Sequence, residues 1–140
     1  MAYSDKQKKG IVDFVCNEIA EGKSLRSVLA NNDNMPARNT FLEWIENDKN
    51  KANQYARAMQ LRQESIFEDI LNIADNQEED VLINEDGISV TNHNVIQRAR
   101  LRVDSRKWML GKMNPKKYGD KLETENNHSG EIKIVREVKK

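Results

Sequence analysis

Charge is segregated along this sequence, and that constrains the fold more than any other feature. Between Glu64 and Asp86 stand nine acidic residues (Glu64, Glu68, Asp69, Asp75, Glu78, Glu79, Asp80, Glu85, Asp86) and no lysine or arginine. Between Arg98 and Lys121 stand nine basic residues (Arg98, Arg100, Arg102, Arg106, Lys107, Lys112, Lys116, Lys117, Lys121) against Asp104 and Asp120. Blocks of opposite sign can pair within a chain or between copies. The connection between them reads VLINEDGISV, two apolar triplets around Asn84-Glu85-Asp86-Gly87. Asp-Gly between β-rich runs is a hairpin signal. A two-stranded hairpin is marginal alone, so this one is expected to pack on something.

Both blocks have helical periodicity. From about Ala52 to Ala74, Met59, Ile66, Ile70 and Ile73 make one stripe, widened by Phe67 and Leu71. From residue 94 to 113, Ile96, Ala99, Val103 and Leu110 make another, extended by Trp108, Met109 and Met113, and Pro115 ends it. The expectation is an antiparallel pair whose stripes are too wide for one partner. The predicted oligomer interface comprises Met59, Ile66, Phe67, Ile70, Leu71, Val103, Trp108 and Leu110, with Phe67, Leu71, Trp108 and Met109 left over for a neighbour. Composition agrees: 37% hydrophobic and 33% charged residues make a thin core, which oligomerisation reinforces.

The N-terminal third contains three shorter helical patterns. In KQKKGIVDFVCNEIAE, Ile11, Phe14, Val15 and Ile19 recur at helical spacing; Gly22 is a natural stop and Ser24 a natural cap. Leu25, Val28 and Leu29 give the second helix its apolar face, NNDN breaks it, and Pro36 is placed to open a third, with Phe41, Trp44 and Ile45 as buried stripe. Two helices joined by a short polar turn read as a helix-turn-helix or as a plain small bundle. In the first reading the third helix recognises DNA through Arg38, Asn39 and Thr40, with Lys6, Lys8, Lys9, Arg26, Lys49 and Lys51 contacting phosphates. The expected division is 1–51 for this unit, 52–118 for a central oligomerisation domain, and 119–140 for a polar linker and a C-terminal β segment. There EIKIVREV alternates over Glu131 to Val138 as an isolated strand, a candidate for an intersubunit barrel. The predicted fold class is therefore mainly α, with one hairpin and one terminal strand.

Several functions find no support. Gly22-Lys23-Ser24 resembles the end of a phosphate loop, but Asn17 stands where that loop needs glycine, and a helix precedes it. His93 and His128 have no ligand at metal spacing, and Glu78, Glu79 and Asp80 read as an exposed acidic loop. Neither a metal nor another cofactor is expected, and no catalytic constellation emerges. The single Cys16 sits in a helical pattern as a core residue, and the cell interior is its natural compartment. No apolar run is long enough to span a membrane, and MAYSDKQKKG lacks the apolar stretch of a signal peptide. The basic stretch from Arg98 to Lys117 either meets DNA or pairs with acidic partners.

Three segments resemble the small terminase subunits of tailed double-stranded DNA phages, podovirus-type members in particular: EGKSLRSVL, MPARNTFLEWI and RARLRVDSRKWMLGKMNPKKYGDK. The order RLRVDSRKW, helix, PKKYGD is the most specific, and the likeness runs over roughly residues 10 to 122. The resemblance implies a homo-oligomeric ring with peripheral helix-turn-helix units that bind the packaging site on viral DNA, and central helices around a channel. It also implies a C-terminus that engages the large terminase subunit, the ATPase and nuclease. Such a subunit is not itself an enzyme and works in the host bacterial cytoplasm. The rival reading is a helix-turn-helix transcription regulator, which would ordinarily be a dimer.

Overall fold

The computed structural model describes residues 2–120 and Gly130. The chain runs α1 (Asp5–Ala20), α2 (Leu25–Ala30), α3 (Arg38–Asn47), α4 (Lys49–Asp75), β1 (Val81–Ile83), β2 (Ser89–Thr91), α5 (His93–Met113) and α6 (Pro115–Tyr118). The expected strand at Glu131 to Val138, most of the linker before it and His128 lie outside the described residues.

Local chemistry explains each boundary. Ser4 and Gln7 form a reciprocal capping box on α1: Ser4 Oγ accepts from the Gln7 amide at 3.2 Å, and Gln7 Oε1 accepts from the Ser4 amide at 2.8 Å. The far end closes in a Schellman motif. The Gly22 amide donates to the Ile19 carbonyl at 2.9 Å and the Lys23 amide to the Glu18 carbonyl at 3.3 Å, with Gly22 at φ +109°. Ser24 then caps α2 by accepting from the Ser27 amide at 3.1 Å. So Gly22-Lys23-Ser24 is helix punctuation. The third helix starts later than expected. Pro36 is buried ahead of it, Ala37 is its N-cap, and the first helical residue is Arg38.

One boundary needs correction: the long helix expected from about Ala52 begins at Lys49, and only Asp48 separates α3 from α4. It caps α4 by accepting from the Asn50 amide at 2.9 Å and the Lys51 amide at 3.4 Å. A capping aspartate restarts a helix within one residue, so a polar run need not be a loop. Pro115 follows the end of α5 as expected and also opens α6, with the Asn114 side chain accepting from the Lys117 amide at 3.3 Å.

The main core lies in the N-terminal bundle. Val12, Val15, Cys16 and Ile19 of α1, Val28 of α2, and Phe41 and Ile45 of α3 are buried together with Ala58 of α4. Ala52, Tyr55 and Met59 of α4 pack on the same cluster, so the helix crosses from the N-terminal core into the central unit without a break. Phe14 sits at the rim, 38% exposed. Two hydrogen bonds fasten the α1–α2 turn to α4. Ser65 Oγ donates to the Ala20 carbonyl at 2.6 Å, and Arg62 Nε donates to the Gly22 carbonyl at 3.3 Å. Each occupies a carbonyl at or just beyond the end of α1, where no further helical turn supplies a donor.

Beyond residue 60, α4 and α5 form an antiparallel hairpin. Asp69 pairs with Arg106 at 3.4 Å, Gln63 with Asn114 at 3.1 Å and Glu64 with Lys117 at 3.7 Å, so one helix ascends as the other descends. Ile66, Ile73 and Leu110 are buried along the seam. The connecting strands pair antiparallel, Val81 with Thr91, Leu82 with Val90 and Ile83 with Ser89. The turn is not the two-residue Asp-Gly form. Residues 84–88 make a longer loop in which Asn84 Oδ1 accepts from the Asp86 and Ile88 amides, and Gly87 takes φ +74°. Nor does the hairpin pack on its own chain: every residue of both strands is exposed.

Candidate nucleic-acid interface and assembly faces

The exposed N-terminal turn of α3 carries Arg38 and Asn39, with Thr40 half-buried beside them. Phe41 and Ile45, one and two turns on, anchor the helix in the core. Phe41 lies edge-on to Tyr55 of α4 at 6.0 Å between ring centroids. No side chain caps this helix, because its N-cap is Ala37, and no acidic residue lies in its first turn. Its leading amides and positive dipole end therefore face outward beside a guanidinium, which suits a phosphate. Further along α3, Glu43 and Glu46 are exposed, and their carboxylates disfavour a phosphate there. Sequence reading passed over these carboxylates, although their three-residue spacing puts them on one side of α3.

The basic residues divide. Lys6, Lys8 and Lys9 crowd the opening turns of α1, where only Asp5 suits the helix dipole, so three lysines sit at an end that disfavours them. Helix stability does not explain that placement. Lys8 Nζ lies 5.6 Å from the ring centroid of Trp44 on α3, and Tyr3 meets the same ring edge-on at 5.2 Å. The start of α1 is thus held against α3, a contact that sequence reading missed. Arg26 and Lys49 are exposed on α2 and at the start of α4. Lys51 is otherwise engaged: its Nζ donates to Asp48 Oδ2 at 2.8 Å, and that hydrogen bond holds the Asp48 carboxyl below the usual carboxylate range. Its charge is less available to a phosphate than the others.

The residues expected at an oligomer interface fall into three groups. Ile66 and Leu110 are buried by their own chain, and Val103 and Ile70 are half-covered along the same seam. Met59 packs on the N-terminal core. Phe67, Leu71 and Trp108 remain 47%, 53% and 68% exposed. Beside them, Phe67, Ile70, Trp108, Leu110 and Tyr118 line a groove of about 470 Å³ between α4, α5 and α6. On the other side of the hairpin a more polar cleft of about 710 Å³ has Arg98 and Arg102 opposite Glu78, Glu79 and Asp80. Among the described residues no group of His, Cys, Asp and Glu is placed to hold a metal ion, and no helix is long and apolar enough to cross a membrane.

Fold and surface together define a class: small helical proteins in which a head of three short helices shares one continuous helix with a long α-hairpin stalk. The model of the terminase small subunit-like family of bacteriophage Sf6 matches residues 7–125. Three crystal structures of point variants of the terminase small subunit gp1 of the bacterial virus Sf6 match at 33% identity each. They cover 99% of this chain and 95% of theirs, with TM-scores of 0.62, 0.61 and 0.61. No curated protein matches the sequence. The chain belongs to the Sf6-like family of phage terminase small subunits, a non-catalytic family that serves genome packaging.

Proposed function

We propose that the chain recognises viral double-stranded DNA as a ring of identical copies, and that it recruits and regulates the large terminase subunit, the ATPase and nuclease of packaging. The observation that carries the DNA-binding part is the outward-facing, uncapped first turn of α3 bearing Arg38 and Asn39. The three lysines at the disfavoured end of α1 support it. Phosphate contacts by Lys6, Lys8, Lys9, Arg26 and Lys49 set the register, and Asn39 and Thr40 reach base edges. Many weak heads in one ring raise avidity without tight individual sites.

Electrophoretic mobility shift at several salt concentrations tests this reading. Replacing Lys6, Lys8 and Lys9 with alanine should weaken binding to every sequence and flatten the salt slope by roughly 0.9 for each lysine that meets a phosphate. Asn39→Ala should cost about 1–3 kcal/mol on the packaging site and little on random DNA. Unchanged affinity in both variants sinks the assignment. For the partner, the purified protein should alter ATP turnover by the large subunit while hydrolysing none itself.

A further inference from the structure

We propose that copies of this chain join head to tail, the face of α4 turned away from α5 docking on the neighbour's face of α5 turned away from α4. This rests on the ring reading above and adds which surfaces meet, in what direction and in what register.

Each outward face carries a continuous stripe. On α4, Leu61, Glu64, Glu68, Leu71 and Asp75 recur at alternating spacings of three and four residues, and all are exposed. On α5, Arg98, Leu101, Ser105, Trp108 and Lys112 recur at the same spacings, and all are exposed. That is the spacing by which two helices interlock along a seam. One stripe sets two leucines among three carboxylates, the other sets Leu101 and Trp108 between an arginine and a lysine. Within the chain the opposite charges are only partly matched. Asp69 takes Arg106 and Glu64 takes Lys117, while Glu68, Asp75, Arg98 and Lys112 make no ion pair among the described residues. An apolar stripe as exposed as Leu71, Leu101 and Trp108 (53%, 66% and 68%) is costly in water, and its rim of unmatched charge selects the partner that carries the opposite rim.

The register agrees independently. Within the chain, Asp69 lies level with Arg106 and Gln63 level with Asn114. Rotation about an axis along the helices moves a copy sideways and leaves heights unchanged. A neighbour's α5 therefore meets α4 antiparallel and at the height of the chain's own α5. On that register Glu64 stands level with Lys112, and Asp75 stands two to four residues from Arg98, roughly 3–6 Å of rise. An acidic residue thus meets a basic one toward each end of the stripe, within reach of long arginine and lysine side chains. The two faces lie on opposite sides of the hairpin, so the contact is heterologous. A heterologous contact closes into a ring when its rotation divides a full turn.

Charge reversal tests the assignment on the full chain by native mass spectrometry, with circular dichroism to confirm helix content. The acidic-face variant, Glu68→Arg with Asp75→Arg, should fall from ring to monomer, as should the basic-face variant, Arg98→Glu with Lys112→Glu. The chain carrying all four changes should assemble again. Mixing the two failing variants should also rebuild rings, because each supplies the face the other lost. Either two-change variant that stays fully assembled overturns the face assignment. So does failure of both the four-change chain and the mixture while helix content is intact. If the unchanged protein is monomeric, the ring reading itself fails, which is a separate outcome.

Discussion

Phe41→Ala should melt the N-terminal head, the proposed DNA-binding unit, and leave the helical hairpin standing. Phe41 is fully buried and is the largest side chain in the N-terminal cluster. Truncating a buried phenylalanine costs about 3–5 kcal/mol, from lost burial and the cavity left behind. Part of that is the edge-on contact with Tyr55 at 6.0 Å, an arrangement worth about 0.5–1.5 kcal/mol beyond burial. Against a total stability of roughly 5–15 kcal/mol for an ordinary domain, such a loss leaves the head marginal. At about 4–8 °C per kcal/mol for a unit of this size, its melting transition should drop by some 15 °C or more. The assay is thermal circular dichroism with mobility shift, with native mass spectrometry to follow assembly. DNA affinity should vanish well below the temperature at which rings dissociate, because the α4–α5 seam of Ile66, Ile73 and Leu110 holds no part of Phe41. A loss under about 1 kcal/mol would refute the view that Phe41 is the keystone of the head. Rings lost together with the head would refute its independence from the hairpin.

Other consequences are simpler to check. Gly22→Ala should cost about 1–2 kcal/mol from backbone strain alone, since φ is +109° while an added Cβ meets only Ser65 Cβ at an ordinary 3.7 Å; chemical denaturation reads it. Cys16 should resist thiol reagents at neutral pH: burial, then the nearby Asp13 charge, push its thiol up to about 11, so the reactive thiolate is scarce until the fold opens or the pH approaches that value. Labelling at neutral pH as fast as in urea would contradict this. Leu71→Asp, placing a further carboxylate on the apolar part of an acidic stripe, should yield monomers or aggregates by size-exclusion chromatography; elution as the native oligomer would put the interface elsewhere.

Much of this was legible because short-range rules decided it. Gly22, Ser24 and the Asp-Gly turn act through their own backbone preferences, so punctuation and hairpin follow from the residues alone. The helix periods of α4 and α5 and the opposite charge of their blocks likewise point to an antiparallel pair, which the Asp69–Arg106 contact shows. What escaped depended on tertiary context. The run DKNKANQ is polar but for Ala52, and nothing in its composition distinguishes a loop from a helix restarted by one capping aspartate. Met59 fits the central stripe by spacing, yet α4 is long enough to serve two cores and spends that residue on the first. Lys8 and Lys51 look alike as free cations, and only the fold sets one over Trp44 and ties the other to Asp48.

The continuity of α4 carries a functional consequence. A head joined to its stalk by a flexible linker samples many orientations, and a ring of such heads grips DNA with little geometric selectivity. Here the connection is a helix running from Lys49 to Asp75, and Ser65 and Arg62 bolt the α1–α2 turn to it beyond the last residue of the head's core. The orientation of α3 is therefore set by the same helix that bears the acidic stripe Glu64, Glu68 and Asp75. If neighbours dock on that stripe, the spacing and tilt of successive heads follow from the subunit contact. Cutting the two bolts, with Ser65→Ala and Arg62→Ala together, removes two hydrogen bonds worth about 1 kcal/mol each and frees the turn without touching the stripe. Rings should persist at unchanged mass, single-head affinity for a short duplex should hold, and the advantage of the packaging site over random DNA in the assembled ring should fall. An unchanged preference in that double variant would show that head orientation is not set through these two contacts.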